Sequence, residues 1–269
     1  MAKLKLYTNG CSYTQGTMPF SHDMVEQSYN GYKYFAEKQD FVWPWQLSAH
    51  FEFTFNHGRA ATGVDRLLRT TLEFIEHLDP AEYSEWIFIL EPSHELRKEY
   101  IFENGDIGQI KLPEKDSADT TIFFHTKHHD LDFHNAQNYN DDDLDPSSKA
   151  LLEYHLLFQN SNSFRSSQLK NLLLLQSILN EKGIRYLFVP MQTLNADSNP
   201  EDCHTFLNYI IKYLDTDNII TSMTRQLNEQ TDADHADLFL PDDSHPNWLG
   251  NKIITENILH EMEKRNWLT

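Results

Sequence analysis

The stretch Trp86-Ile87-Phe88-Ile89-Leu90 decides the fold of this chain of 269 residues. A strand with one exposed face alternates apolar and polar side chains, whereas a strand covered on both faces is apolar at every position. This continuous apolar run therefore predicts a central strand of a parallel sheet with helices on both of its faces.

Strand and helix patterns alternate on either side of this run. Residues 51–55 alternate apolar and polar side chains, as in a strand, and residues 64–78 place apolar side chains at helical spacing. The further predicted elements are a strand at 4–8, a helix at 42–50 that begins at Pro44, a helix at 166–182 that stops at Gly183, a strand at 184–189, a helix at 203–214, a short apolar segment at 218–221, and a final helix at 248–267 with Trp248, Ile254, Ile258 and Met262 on one apolar stripe. The predicted fold class is α/β, as a three-layer α/β/α sandwich with a mainly parallel sheet.

Composition and charge exclude several classes of partner. The chain carries 22 Lys and Arg against 41 Asp and Glu, a formal net charge of −19, which repels nucleic-acid backbones and anionic membrane surfaces. Its two cysteines, Cys11 and Cys203, form no disulfide framework and indicate reduced thiols. The first residues lack the apolar run of a signal peptide, and no apolar run is long enough to span a membrane. We expect one cytoplasmic domain over residues 1–269.

The pattern near the end of the sequence predicts part of a catalytic site. Asp242 lies three residues before His245, which is followed by Pro246 and a helical pattern. A carboxylate that orients an imidazole is useful when a nucleophile meets the other ring nitrogen. The best candidate is Ser12, which follows the strand at 4–8, because ligands of open α/β sheets bind outside the carboxyl ends of strands. A helix-capping or turn serine is the structural alternative.

These two motifs resemble the SGNH/GDSL hydrolases, whose first block reads Gly-Asp-Ser and whose last block reads Asp-x-x-His-Pro. Gly10-Cys11-Ser12 matches the first block with Cys in place of Asp, and Asp242-x-x-His245-Pro246 matches the last block without change. Residues 9–14, Asn-Gly-Cys-Ser-Tyr-Thr, look most like a divergent branch often encoded by tailed phages, which would place the protein in host cytoplasm or a virion.

The resemblance implies a role for each residue of the site. Ser12 would be the nucleophile, His245 the base and Asp242 its orienting carboxylate, while the neighbouring Asp243 would cap the following turn or face solvent. The backbone N–H of Ser12 and that of a glycine in the second block would bind the oxyanion. Gly63 is the expected donor because it directly precedes a helix, and Gly58 is the alternative. A glycine required only for positive φ is the structural interpretation.

One block departs from the family pattern. The strand at residues 86–90 is followed by Glu91-Pro92-Ser93-His94, where the family has Gly-x-Asn-Asp and uses the Asn amide as an oxyanion donor. Ser93 falls at the Asn position, and its hydroxyl is a less directed donor than an amide. His94 is the competing donor.

Residues 97–165 show no regular pattern and are too long for an ordinary connection between two strands. They predict an insertion or lid over the active-site edge. His125, His128 and His129 stand at a spacing that loop ligands of a metal can have. Paired cysteines and a His-Glu-x-x-His helix are absent from the sequence, so a polar lid without metal is the favoured interpretation.

The predicted function is a cofactor-independent serine esterase that forms an acyl-enzyme on Ser12. A carbohydrate O-acetyl ester or another small acyl ester is the expected substrate. Two alternatives stay open: an acyltransferase that uses the same triad, and a weak or inactive binding or assembly protein on the same fold. The acyl group, the alcohol and the oligomeric state do not follow from the sequence.

Overall fold

A computed structural model describes residues 4–15, 42–59, 62–92, 97–101, 107–111, 121–125, 161–190, 212–220, 238, 246 and 248–268 of the chain. The main sheet of this part contains β1 (Lys5–Asn9), β2 (Phe53–Asn56), β3 (Trp86–Leu90) and β7 (Arg185–Phe188) in the order β2-β1-β3-β7. A second sheet contains β4 (Arg97–Ile101), β5 (Ile107–Lys111) and β6 (Thr121–His125) in the order β4-β5-β6. The helices are α1 (Ser12–Gln15), α2 (Trp43–Ser48), α3 (Val64–Glu76), α4 (Ser161–Lys182) and α5 (Trp248–Lys264), with short 3₁₀ turns at Pro80–Glu85 and Thr216–Asn218.

β3 is a central strand of the main sheet, as its apolar run predicts. It pairs in parallel with β1 on one side and with β7 on the other, and all five of its side chains are buried. Ile219 extends the parallel order by one bridge to Phe188. Every pairing of the main sheet is parallel, which confirms the predicted sheet type.

Two hydrophobic clusters cover the two faces of the main sheet. On one face, Ile87 and Ile89 of β3 pack with side chains of α2 and α5. On the other face, Trp86, Phe88 and Leu90 pack with side chains of α3 and α4. The chain therefore has the predicted three-layer α/β/α architecture, because β3 sends alternate side chains into two separate cores.

α5 runs antiparallel to the strands. Arg185, the first residue of β7, donates from Nη1 to the carbonyl of Trp267 just beyond α5, at 3.2 Å. The end of α5 thus lies at the amino edge of the sheet. A helix of 17 residues is about 25 Å long, so its first residues lie at the carboxyl edge, where β1 and β3 end.

The structure corrects two of the sequence-based expectations. Trp248 is 47% exposed, because it stands in the first turn of α5 at the margin of the buried stripe, which Ile254, Ile258 and Met262 form. The segment 97–165 includes three antiparallel strands and the first residues of α4, which begins at Ser161. Antiparallel neighbours satisfy one another's backbone groups, so these strands form without a long apolar run.

The second sheet is attached to the first two turns of α3. The Glu99 carboxylate of β4 accepts from Arg69 Nε at 2.7 Å, and the Glu99 N–H donates to Asp65 Oδ2 at 3.0 Å. The role of this sheet as a lid stays a prediction.

The helix predicted at 203–214 falls almost wholly outside the described residues. Among the described residues, no helix is both long and apolar enough to cross a membrane.

The loop after β2 is packed directly against α1, and this contact gives a test of the fold. A Cβ at Gly58 would lie 2.6 Å from the backbone N of Gln15 and 2.7 Å from the carbonyl carbon of Thr14. Because neither backbone atom has a flexible end to move away, we expect Gly58→Ala to lower the free energy of unfolding by up to about 3 kcal/mol. Urea denaturation measures the change.

Gly183→Ala is the matched control. Gly183 has φ +66°, and an added Cβ there meets nothing within 4 Å, so this variant reports left-handed backbone strain alone, about 1 kcal/mol. If Gly58→Ala lowers the free energy of unfolding no more than Gly183→Ala does, Gly58 does not pack closely against the backbone of α1.

Candidate active site

Ser12 begins a one-turn helix at the carboxyl end of β1. The Cys11 carbonyl accepts from the N–H groups of Thr14 at 3.2 Å and Gln15 at 2.9 Å. These bonds close residues 11–15 into one turn, called the Ser12 turn below. Ser12 is half-buried, whereas Cys11 and Tyr13 on either side of it are buried. The Ser12 side chain therefore lies at the surface of the carboxyl edge, on a turn anchored from below.

A buried carboxylate from the neighbouring strand supports this turn. Glu91, the first residue after β3, has no exposed surface. Its Oε2 accepts from the Cys11 N–H at 3.1 Å and from the Thr14 hydroxyl, and its Oε1 accepts from Cys11 Sγ at 2.9 Å. Sequence analysis missed this role, although an acidic residue directly after a fully apolar strand was the available signal.

The β2–α3 loop lies against the Ser12 turn through Asn56. Its Nδ2 donates to the Thr14 carbonyl at 2.8 Å, and its Oδ1 accepts from the Gly58 N–H at 3.0 Å. Because Asn56 already engages that N–H, Gly58 is a poor candidate for an oxyanion donor. Its structural function is the close approach to α1.

Gly63 is the N-cap of α3, with φ −103° and ψ 179°. This is extended backbone, so a requirement for positive φ does not explain the glycine. Its N–H donates to no atom of the residues that the structure describes. The preceding Thr62 places its hydroxyl 3.2 Å from the Gly10 carbonyl, which brings the start of α3 next to the Ser12 turn.

A buried polar network lies beneath the other side of the turn. Asn9, the last residue of β1, donates from Nδ2 to Thr70 Oγ1 at 2.8 Å and to Tyr7 Oη at 2.9 Å. Its Oδ1 accepts from the Gly10 N–H at 2.9 Å and from Arg66 Nη1 at 3.4 Å. The network therefore fixes the point at which the chain leaves β1 for Ser12.

Burial changes the acid–base properties of this network. Loss of hydration, with a smaller contribution from the charge of Arg59, lowers the pKa of Arg66 to about 10. Burial also raises the pKa of Tyr7 above its ordinary value. Both groups keep their usual charge at neutral pH, so the network places a buried cation, held by Asn9 and the His57 carbonyl, close to the carboxyl edge.

Asp242, Asp243 and His245 lie outside the described residues, but the residue that follows His245 is well fixed. The Pro246 carbonyl accepts from Asn251 Nδ2 of α5 at 2.9 Å, and a Cβ at Gly250 would lie 2.9 Å from Pro246 Cβ. The Asn251 Oδ1 also accepts from the Trp43 N–H at 3.1 Å. Pro246 is thus held at the start of α5, on the carboxyl edge.

The two ends of the sequence meet in one hydrophobic cluster. Cys11, which precedes Ser12, belongs to the same buried cluster as Leu238 and Ile254, which flank the last motif. This cluster connects the Ser12 turn with the element that carries Pro246. The distance from Ser12 to His245 stays a prediction.

The remaining candidates fall mainly outside the described residues. Ser93 and His94 follow the buried Pro92 at the end of β3 and are not described. His128 and His129 are not described either, and His125 is described only as the last residue of β6. Among the described residues, no three His, Cys, Asp or Glu side chains form a group that could hold a metal ion.

No protein-family model and no curated protein matches this chain. Solved structures that resemble it include a member of the lipolytic protein G-D-S-L family from Veillonella parvula, at 10% identity and a TM-score of 0.47, with 96% of this chain and 97% of that chain covered. TesA matches at 10% identity and a TM-score of 0.46, with 97% and 98% covered. A single-residue mutant of Axe2, an acetyl-xylooligosaccharide esterase from Geobacillus stearmophilus, matches at 13% identity and a TM-score of 0.47, with 97% and 96% covered. Similarities this low assign neither an activity nor residue roles.

Because Asn9 is at the centre of this network, replacing its side chain should lower the free energy of unfolding strongly. Asn9→Leu keeps a similar volume but leaves the Gly10 N–H and Arg66 without the Asn9 oxygen that they share. We expect the free energy of unfolding to fall by about 2–4 kcal/mol, because buried groups without partners keep their full desolvation cost. Urea denaturation monitored by circular dichroism measures it.

Asn171→Leu is the control for this prediction. Asn171 donates to the Asp65 carboxylate in a half-buried position, and loss of one such bond costs about 1.5 kcal/mol. Equal losses for the two variants would show that the Asn9 network contributes nothing beyond a single hydrogen bond.

Proposed function

We propose that this chain is a serine esterase with Ser12 as its nucleophile. The observation that carries the proposal is the position of Ser12, half-buried on a supported turn at the carboxyl end of a central parallel strand. The start of α5 lies at the same edge, and there Pro246, the residue after His245, is fixed by Asn251. Pro246, the described residue of the last motif, therefore lies at the same edge of the sheet as Ser12.

The proposed reaction uses the three groups of the predicted triad. Ser12 Oγ attacks the ester carbonyl while His245 takes its proton, and Asp242 holds the imidazole in the tautomer that accepts it. The tetrahedral intermediate collapses with transfer of that proton to the alcohol oxygen, which leaves an acyl group on Ser12. Water, deprotonated by His245, then attacks the acyl-enzyme and releases the acid and free Ser12.

Charge that develops on the carbonyl oxygen requires hydrogen-bond donors. The backbone N–H groups of Ser12 and Gly63 are two donors of the proposed oxyanion hole. The Gly63 group supports this role because it stands at the start of α3 and donates to no other atom of the described residues. Ser93 is the proposed third donor, through its hydroxyl, with His94 as its competitor.

The proposed substrate is a carbohydrate O-acetyl ester or another small acyl ester, used without a cofactor. Transfer of the acyl group to an acceptor alcohol uses the same groups and replaces only the water. The site of action is proposed to be cytoplasm, host cytoplasm if the protein belongs to the phage-type branch. A binding or assembly protein is the second candidate, because Ser93 stands where the hydrolase pattern has an amide donor.

Ser12 and His245 give the direct test of the proposal. We expect the unmodified protein to react covalently with a fluorophosphonate probe and to hydrolyse p-nitrophenyl acetate. Ser12→Ala should abolish labelling, and His245→Asn should lower the labelling rate by at least about 10²-fold, because a serine without its base is a weak nucleophile. Intact-protein mass spectrometry gives the labelling rate and the modified residue.

Exposed residues of the same types serve as controls. Ser177→Ala on α4 and His260→Asn on α5 change exposed side chains and should leave the labelling rate unaltered. If the Ser12→Ala variant is labelled at the wild-type rate, Ser12 is not the nucleophile. A folded wild-type protein with neither labelling nor turnover would favour the binding protein.

The third oxyanion donor is tested at residues 93 and 94. We expect Ser93→Ala to lower kcat by about 10-fold to 10³-fold with little change in KM, because the bond to the oxyanion strengthens only in the transition state. Ser93→Asn should keep or raise kcat if the amide has room. If His94→Ala lowers kcat strongly and Ser93→Ala does not, His94 is the third oxyanion donor.

A further inference from the structure

We infer that Glu91 is a positioning residue for the nucleophile, and that it supplies from β3 the carboxylate that the Gly-Asp-Ser pattern carries at position 11. The inference rests on the proposed role of Ser12. It adds to the proposed triad a residue whose contacts with Cys11 and Thr14 lie beneath the proposed nucleophile.

The contacts of Glu91 converge on the residues around Ser12. The carboxylate accepts from the backbone and the thiol of Cys11 and from the hydroxyl of Thr14. These two residues precede Ser12 by one position and follow it by two. The Ser12 turn is therefore bound to the end of β3 on both sides of the nucleophile.

The short helix needs this support. α1 has four residues, and a helix of one turn is not stable in isolation because its nucleation costs more than one turn of hydrogen bonds returns. Its conformation must therefore be fixed by outside contacts. Glu91 provides contacts from β3, while Asn56 contacts the end of the helix through the Thr14 carbonyl at 2.8 Å.

A carboxylate suits this position better than an amide. Among the described residues, three donors meet the two side-chain oxygens of Glu91, and an ionised carboxylate offers acceptors only. A glutamine would present its NH₂ group to at least one of these donors. Gly10 completes the fit, because a Cβ there would lie 2.5 Å from Glu91 Cβ and from Glu91 Oε2.

The presence of Cys at residue 11 agrees with a carboxylate supplied by Glu91. Cys11 stands where the Gly-Asp-Ser pattern has an Asp, and its Sγ lies 2.9 Å from Glu91 Oε1. The side chain of residue 11 and the carboxylate of residue 91 thus meet at one buried point. Such a point accommodates one carboxylate without strong repulsion between like charges, and this chain supplies it from β3.

The expected effect is on the rate of the chemical step. A shift of about 1 Å in a nucleophile costs up to about 10²-fold in rate. We expect Glu91→Gln to lower kcat for p-nitrophenyl acetate, and the rate of fluorophosphonate labelling, by about 10-fold to 10²-fold while KM changes by less than about 3-fold. Thr14→Val, which removes one of the three donors, should give a smaller loss of the same kind.

Glu261→Gln is the matched control for a merely structural role. Glu261 is a half-buried carboxylate that pairs with Arg265 near the end of α5, at the amino edge of the sheet and therefore opposite to the Ser12 turn. We expect this variant to lower the Tm without changing kcat or the labelling rate of the folded protein. Glu91→Gln must differ from it in kcat, not only in Tm.

A double-mutant cycle tests the shared position of the carboxylate. Cys11→Asp alone should lower the Tm and the labelling rate, because it places a second carboxylate beside Glu91. Glu91→Ala alone should lower both quantities as well. The double variant Cys11→Asp with Glu91→Ala should recover at least about 10-fold in labelling rate over Glu91→Ala, because one carboxylate again occupies the buried point.

The outcomes separate this inference from the proposed function. A wild-type protein that does not label at Ser12 overturns the proposed function and this inference with it. A wild-type protein that labels, together with a folded Glu91→Gln variant that labels at the same rate, overturns the inference alone. If the double variant is labelled no faster than Glu91→Ala, the claim that a carboxylate at residue 11 can replace the carboxylate of residue 91 is wrong.

Discussion

The complete burial of β3 between β1 and β7 is the constraint on which the rest of the structure depends. A strand with apolar neighbours on both faces has no room for polar side chains along its length, so they collect where the strand ends. Asn9, Asn56 and Glu91 stand at or directly after the ends of β1, β2 and β3. These polar side chains are thereby gathered at one edge of the sheet.

The polar groups at this edge divide between its two faces. Asn9 and the Arg66 cation lie on the side of α3, and the Glu91 carboxylate lies on the side of α1. Each buried charge is compensated by directed hydrogen bonds and not by an apolar environment, which would leave its desolvation cost unopposed. The turn that carries Ser12 leaves β1 between these two polar layers and is held from both sides.

The sequence predicted the elements whose pattern is local. The apolar run of Trp86–Leu90, the stop of α4 at Gly183 with its positive φ and the helix that begins after Gly63 each follow from neighbouring residues. Trp248 and the strands of the second sheet were not predicted, because exposure at a helix end and antiparallel pairing depend on distant parts of the chain. Glu91 was treated only as part of a departing block, since Cys11 and Thr14, which donate to it, are about 80 residues away in sequence and a single acidic residue has no periodicity. The assignments of His245, Asp242 and Ser93 stay predictions.

The shared cluster that joins Leu6 of β1 to Ile254 and Ile258 of α5 has a consequence for how the protein folds. Contacts between segments this far apart in sequence carry a large loop-closure entropy and are typical of slowly folding chains. Until α5 docks, the part of this face that α2 does not cover remains open to solvent, and a chain still emerging from the ribosome holds the Ser12 turn without the layer that carries Pro246. The apolar face that α5 covers is therefore the part of this fold most exposed to aggregation before α5 docks.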